Sequence, residues 1–141
     1  MYVLPNMVEA AKGGATVLDL QVIRPNPQVE CDGRVLCEID GEALFRTADA
    51  ATAAVDALVL DGRLVEEAVD DHDACMHYVN GADLVDDFAG KERKLPADAM
   101  PTVRALTVPC VVRERCRLRR LRILSPRARG MGGRGRPRVA L

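Results

Sequence analysis

The stretch VECDGRVLCEIDGEALF, residues 29–45, holds the clearest structural signal in this chain of 141 residues. It contains two Asp-Gly pairs, Asp32-Gly33 and Asp40-Gly41, each between short runs that contain apolar residues. An Asp-Gly pair in this setting is typical of a two-residue hairpin turn, because both residues tolerate the left-handed backbone that the turn requires. The pattern therefore predicts a three-stranded antiparallel meander.

The segments before this stretch predict a helix and a strand. A short helix is expected over residues 2–12, where Gly13-Gly14 ends it. The segment ATVLDLQVI, residues 15–23, is rich in Val, Leu and Ile and indicates a strand that stops at Pro25-Asn26-Pro27.

The segments after it predict helices. Thr47 is the expected N-cap of an alanine-rich helix over residues 47–60. Apolar residues recur at helical spacing over residues 63–79, and a shorter helix is expected over residues 82–89. We therefore predict an α+β fold, with a small antiparallel β-meander packed against the helices 47–60 and 63–79.

Charge is distributed very unevenly along the chain. Residues 1–101 contain 8 basic and 20 acidic residues, a net charge of −12, whereas residues 102–141 contain 12 arginines and the single acid Glu114, a net charge of +11. The charged link KERKLPADAMP, residues 91–101, contains two prolines and marks a boundary between the acidic and basic parts. The resulting prediction is an acidic α+β domain at 1–101, a basic strand-like segment at 102–124 and a disordered basic tail at 125–141.

The basic segment alternates arginine with other residues. If it is a strand, Arg113, Arg115, Arg117 and Arg119 lie on one face, because successive side chains of a strand point to opposite sides. Pro109 favours an edge position or a bulge for this strand, since proline cannot donate a ladder hydrogen bond.

The tail contains GRGRPR, residues 133–138. This peptide resembles the AT-hook, a short motif whose Arg-Gly-Arg-Pro core lies in the narrow minor groove of A·T-rich DNA. The resemblance covers six residues and implies nothing about the folded part. It implies minor-groove entry by Arg134 and Arg136, which are drawn to the negative potential of a narrow groove.

The arginines as a group predict a non-enzymatic binding module that contacts nucleic acid mostly through phosphates. Two alternatives remain open: the acidic domain and basic arm pair within or between subunits, or an acidic protein is the partner. A GC-rich or shifted reading frame also produces such a composition. The candidate nucleic-acid-binding residues are Arg117, Arg119, Arg120, Arg122, Arg134, Arg136 and Arg138.

Enzymatic, cofactor and metal signals are weak. The cluster DDHDACMH, residues 70–77, places His72 and His77 on different sides of a predicted helix, and no cofactor motif accompanies it. We predict no catalytic residues and no cofactor. Two cysteine pairs share a spacing of five intervening residues, which makes them weak candidates for zinc ligands. They are Cys31, Cys37, Cys110 and Cys116.

The start of the chain has no uninterrupted apolar segment of the kind found in a secretion signal, and no stretch approaches the length of a membrane span. The five cysteines are an odd number, which indicates free thiols in a reducing compartment. The expected location is therefore cytoplasmic or nuclear, with no membrane partner.

Overall fold

The structure is a computed structural model in which residues 3–125 are described. The elements are, in chain order, α1 (Val3–Ala10), β1 (Thr16–Cys31), β2 (Arg34–Glu38), α2 (Glu42–Leu60), β3 (Leu64–Tyr78), α3 (Gly81–Phe88), α4 (Met100–Arg104) and β4 (Cys110–Ile123). Within these residues four strands form one antiparallel sheet in the order β2-β1-β4-β3. The predicted α+β class is confirmed.

The basic strand β4 lies in the middle of the sheet. It pairs with β1 on one side and with β3 on the other, so the predicted edge position is wrong. Pro109 is accommodated because it immediately precedes Cys110, the first residue of the strand, and its missing N–H falls outside the ladder. The sheet thus joins residues from both sides of the charged link.

One of the two Asp-Gly turns forms as predicted. Asp32 and Gly33 both have positive φ, 49° and 73°, and they connect β1 to β2. The second turn, and with it the consecutive meander, is wrong. Asp40 and Gly41 instead begin α2: the Asp40 carboxylate accepts from the N–H of Glu42 at 3.0 Å, and Gly41 lies where a Cβ would meet the Phe45 ring at 2.9 Å.

The predicted helix over residues 63–79 is also wrong, because this segment forms β3. Its apolar residues match helical spacing, yet as a strand they alternate between the two faces of the sheet. The decisive interactions are not local. Asp71 and Asp73 lie directly opposite Arg117 and Arg115 of β4, more than 40 residues further along the chain.

The first strand continues through the prolines where it was expected to stop. The pairing of β1 with β4 shifts between Ile23 and Gln28, so that the four residues 24–27 bulge out of the regular ladder. Because Pro25 and Pro27 both lie in this bulge, neither interrupts a regular ladder hydrogen bond. Pairing resumes at Gln28, opposite Arg113.

The helices cover opposite faces of the sheet at opposite ends. Cys110 and Val112 lie in a core beneath α3 and α4, together with Leu84 and Val103. Further along β4, Leu121 and Ile123 point to the other face and pack with Val8, Val55 and Leu58 of α1 and α2. Even-numbered residues of β4 are buried at its start and odd-numbered residues at its end, and in a regular strand these point to opposite faces. Each end of the sheet therefore has one face covered by helices.

The remaining helix predictions agree with the structure more closely. The alanine-rich helix ends at Leu60 as expected, although it begins five residues before Thr47. The helix expected over residues 82–89 is α3, and the side chain of Asn80 caps it by accepting from the N–H of Asp83 at 2.9 Å. None of the helices within residues 3–125 has the length and apolarity that crossing a membrane requires.

Candidate functional site

The arginines of β4 that point toward α2 meet acids of the neighbouring strands. Arg117 donates two hydrogen bonds to Asp71, at 2.7 and 2.9 Å, and Arg115 donates to Asp73 at 3.0 Å. Hydrogen bonds from Arg117 hold the pKa of the Asp71 carboxyl below its usual value. At the far end of the same row, Arg113 binds Glu30 of β1 at 3.1 Å.

Arg119 is the most enclosed of these arginines. Its side chain is covered by α2, and the residue retains only 7% of its exposure. Its Nε donates to Glu66 of β3 at 2.6 Å, and Nη1 lies 2.8 Å from Asp56 of α2. With both sides of the guanidinium occupied by carboxylates, Arg119 connects sheet to helix.

Arg120 and Arg122 project from the opposite face and share one acid, Glu67. Their Nε atoms lie 3.4 and 2.6 Å from the two carboxylate oxygens of Glu67. Glu67 is the extra residue where the pairing of β3 with β4 shifts, and this bulge brings its side chain between the two arginines. Both arginines remain about half exposed.

These contacts place four of the seven predicted nucleic-acid-binding residues. Arg117, Arg119, Arg120 and Arg122 each lie within 3.4 Å of a carboxylate of the same chain. The other three, Arg134, Arg136 and Arg138, lie outside the described residues, as does the predicted disordered tail apart from Ser125. The acids of β3 that bind the arginines of β4 lie in the segment 63–79 that was predicted as a helix, and sequence reasoning missed their role: Glu66, Glu67, Asp71 and Asp73.

At the end of the sheet that α2 covers, the opposite face has no helix over it among the described residues, whereas α3 and α4 cover that face further along, at Cys110 and Val112. We call the uncovered part the open face, and it comprises Thr16, Leu18 and Leu20 of β1, Leu118, Arg120 and Arg122 of β4, and Val65, Ala68 and Asp70 of β3. Leu18 and Leu20 are 66% and 58% exposed. The alternation of β1 is inverted relative to a surface strand, because Asp19 and Gln21 face α2 and are partly covered.

The alternation of Leu18, Asp19, Leu20 and Gln21 was the available sequence signal for the open face. It predicts one leucine face and one polar face for the strand. It does not say which face a helix covers. Only the position of α2 over Asp19 and Gln21 leaves the leucines in solvent.

The four cysteines named as weak zinc candidates are not gathered into one cluster. Within residues 3–125 no three His, Cys, Asp or Glu side chains are close enough together to hold a metal ion. In the β1–β4 register Cys31 lies opposite Cys110, one position beyond the Glu30–Val111 pair, while Cys116 lies opposite Val22. All five cysteines are free, and burial raises the pKa of Cys37, Cys110 and Cys116.

The histidine cluster is split by the strand conformation of β3. His72 lies on the same side of β3 as Asp70, just beyond the open face, with its Nδ1 3.1 Å from the Asp70 carboxylate, and His77 points to the other side. Asp73 and His77 share a side but are about 13 Å apart along an extended strand. Two grooves beside α2, of about 580 and 530 Å³, both include Leu4 and Ala54 in a mostly apolar lining, and neither lining includes these histidines.

Comparison with known proteins gives no relative from which a function could be transferred. Family models, curated proteins and solved structures were each searched, and none matches this chain.

Proposed function

We propose that this protein is a non-enzymatic interaction component that binds another protein chain through the open face. The observation that supports it is the exposure of Leu18 and Leu20 on the part of the sheet that no described helix covers. Side chains with opposite charges, Arg120, Arg122 and Asp70, lie beside them. An apolar patch with a polar rim is typical of a protein interface.

The charge pairing within the sheet is consistent with this role. The charges of the acidic and basic segments largely neutralise each other within one chain, because β3 supplies carboxylates to the arginines of β4. The ion pairs toward α2 hold the sheet and its helix together. The open face is then the surface on which apolar contact with a partner gains the most.

Site-specific photocrosslinking in cells tests this proposal. Benzoylphenylalanine in place of Leu20 is expected to cross-link to a protein that mass spectrometry identifies, and Leu18→Asp in the same chain should abolish that product. The matched control carries the probe at Val79, an exposed apolar residue after the end of β3 that is not on the open face. Equal products from positions 20 and 79, or none from either, would contradict the proposal.

A second proposed function is nucleic-acid contact by the arginine-rich end, with Arg134, Arg136 and Arg138 as the main residues. The observation that favours it is that Arg120 and Arg122 share the single carboxylate of Glu67, which leaves positive charge at the end of β4. The chain beyond Ser125 adds five arginines and no acid. Phosphates would neutralise this charge with release of counterions.

Fluorescence anisotropy with A·T-rich duplex, G·C-rich duplex and single-stranded RNA tests this second function. The full chain should bind and a chain ending at Ser125 should not. If all five arginines meet phosphates of B-DNA, the logarithm of the binding constant should fall with that of salt with a slope of about −4.5.

The matched control for this test replaces Arg134, Arg136 and Arg138 with lysine. The variant keeps the charge, so it should keep most of the salt slope while losing any A·T preference. If binding persists without residues 126–141, the nucleic-acid contact lies in residues 1–125 and the proposed role of the tail is wrong.

A further inference from the structure

We propose that the partner on the open face is a second copy of this chain, packed sheet against sheet about a two-fold axis. This inference rests on the proposed interaction function and names its partner. The open face carries its own complement, because Leu18, Leu20 and Leu118 form an apolar patch, Arg120 and Arg122 lie beside it on β4, and Asp70 lies opposite Leu118 on β3. A surface that contains both members of each contact suits an isologous dimer.

The register of the strands specifies which residues would meet. Leu18 lies opposite Arg120, and Leu20 lies opposite Leu118, which in turn is opposite Asp70. A two-fold axis between the sheets and across the strands reverses the strand direction of the second copy. Leu18 of one copy then rests on Leu20 of the other, with the sheets about 10 Å apart.

The same axis brings opposite charges together. Arg120 lies above Leu118 of the second copy, one strand spacing from that copy's Asp70, a lateral distance of about 4.8 Å that an arginine side chain can span. By symmetry the contact occurs twice. In the single chain the Nδ1 of His72 lies 3.1 Å from the Asp70 carboxylate, and that histidine is partly exposed. The Asp70 carboxylate is largely in solvent and free to accept an arginine.

The position of the chain's other charges favours a second copy over a strongly basic or acidic partner. Along the face toward α2 the arginines are matched by acids, so neither sign dominates there. On the open face the two arginines share Glu67, and Asp70 adds a second carboxylate. A partner for such a surface needs both charges and apolar side chains, which this face itself provides.

Charge reversal with mixing tests the arrangement on the full chain. Sedimentation equilibrium should find a dimer for the original protein. In a dimer of Arg120→Asp, each of the two contacts joins two acids, and in a dimer of Asp70→Arg each contact joins two arginines. The dimer dissociation constant of either variant alone should therefore rise about ten-fold. An equal mixture should recover dimers, because in the heterodimer every contact joins opposite charges.

The matched control is Asp98→Arg, a charge reversal of an exposed residue outside the sheet, which should leave the dimer unchanged. Circular dichroism establishes that each variant is folded. A monomer at every concentration, single reversals that leave the dimer intact, or a mixture that stays dissociated would each overturn the second-copy arrangement. A monomer whose position 20 still cross-links a different protein overturns this inference alone, whereas loss of both results removes the proposed interaction function too.

Discussion

Arg119 of the central strand donates through Nε to Glu66 of the edge strand at 2.6 Å, and α2 covers the pair from above with Asp56. This contact joins three elements through one guanidinium. It also explains how an arginine can lie within a covered part of a sheet, because its donors meet carboxylates rather than apolar groups.

Arg119→Met is therefore expected to destabilise the protein by about 3 kcal/mol. This is the low end of the cost of removing one partner of a buried ion pair, because the carboxylates of Glu66 and Asp56 keep some contact with solvent. Arg115→Met is the matched control on the same strand: its side chain is 41% exposed, and its loss should cost less than about 1 kcal/mol. Urea denaturation measures both. Equal losses would mean that Arg119 is not specially enclosed.

Asp71 predicts part of the acid sensitivity of the fold. Because the bonds from Arg117 lower the pKa of Asp71 in the folded chain, their contribution to stability is present above about pH 4 and is lost as pH falls through the folded value. Asp71→Asn should thus weaken the protein at neutral pH and differ less from the original under acid conditions.

Urea midpoints measured at neutral and acid pH check the Asp71 prediction. Asp98→Asn, at an exposed site outside the strands, is the control. A deficit for Asp71→Asn that stays the same at both pH values would contradict the pairing.

Gly81 predicts a packing constraint between α3 and α4. A Cβ at this position would lie 1.6 Å from the carbonyl oxygen of Val103, so Gly81→Ala must displace backbone and should cost about 3 kcal/mol or more. At Gly90 an added Cβ meets nothing within 4 Å, and Gly90→Ala should change stability by less than about 1 kcal/mol. Thermal unfolding of the two variants compares them; similar midpoints would argue against the close approach.

Tyr78 is expected to remain protonated to unusually high pH. Burial and, after it, the hydrogen bond to Asp87 at 2.5 Å raise the pKa of Tyr78 above the usual value near 10. The stabilisation that comes from the protonated Tyr78 hydroxyl is therefore fully present below about pH 10 and is lost as the pH rises further. In a Tyr2→Phe background Tyr78 is the sole tyrosine, and an absorbance titration follows it. Asp87→Asn should lower the midpoint; an ordinary midpoint before that change would contradict the contact.

Thiol reactivity distinguishes the strand β3 from a helix that buries its apolar stripe. Cys75 is exposed, whereas Cys110 and Cys116 are buried with raised pKa values. Cys75 should therefore react with a maleimide at neutral pH at least about ten-fold faster than Cys110 and Cys116, since the thiolate is the reactive form. Cys75→Ser should remove that fast phase; its persistence would assign the exposed thiol elsewhere.

Elements with local chemical signals agree best between sequence and structure. The Asp32-Gly33 turn, the end of α2 and the helix α3 depend on residues within a few positions of one another. The Asp40-Gly41 pair carries the same turn signal but begins a helix instead. Its outcome depends on Asn26, whose side chain accepts from the N–H of Gly41 at 3.1 Å and is distant in sequence.

The candidate site was only partly predictable. The arginines were recognised as a group on one face of a strand, and Arg113, Arg115, Arg117 and Arg119 do share that face. Their partners were not, because Glu66, Asp71 and Asp73 lie in the segment 63–79 that was predicted as a helix. The open face depends further on which side of β1 α2 occupies, a choice that the alternation of Leu18 and Asp19 leaves undecided.

Residue chemistry alone therefore established the α+β class, the first hairpin, the ends of two helices and the separation of charge along the chain. Tertiary structure decided the strand order, the strand conformation of β3, the pairing of Arg119 with Glu66 and the exposure of Leu18 and Leu20. The physical reason is range. Turns and caps depend on neighbouring backbone groups, whereas an ion pair across a sheet stabilises a strand only after distant parts of the chain have met.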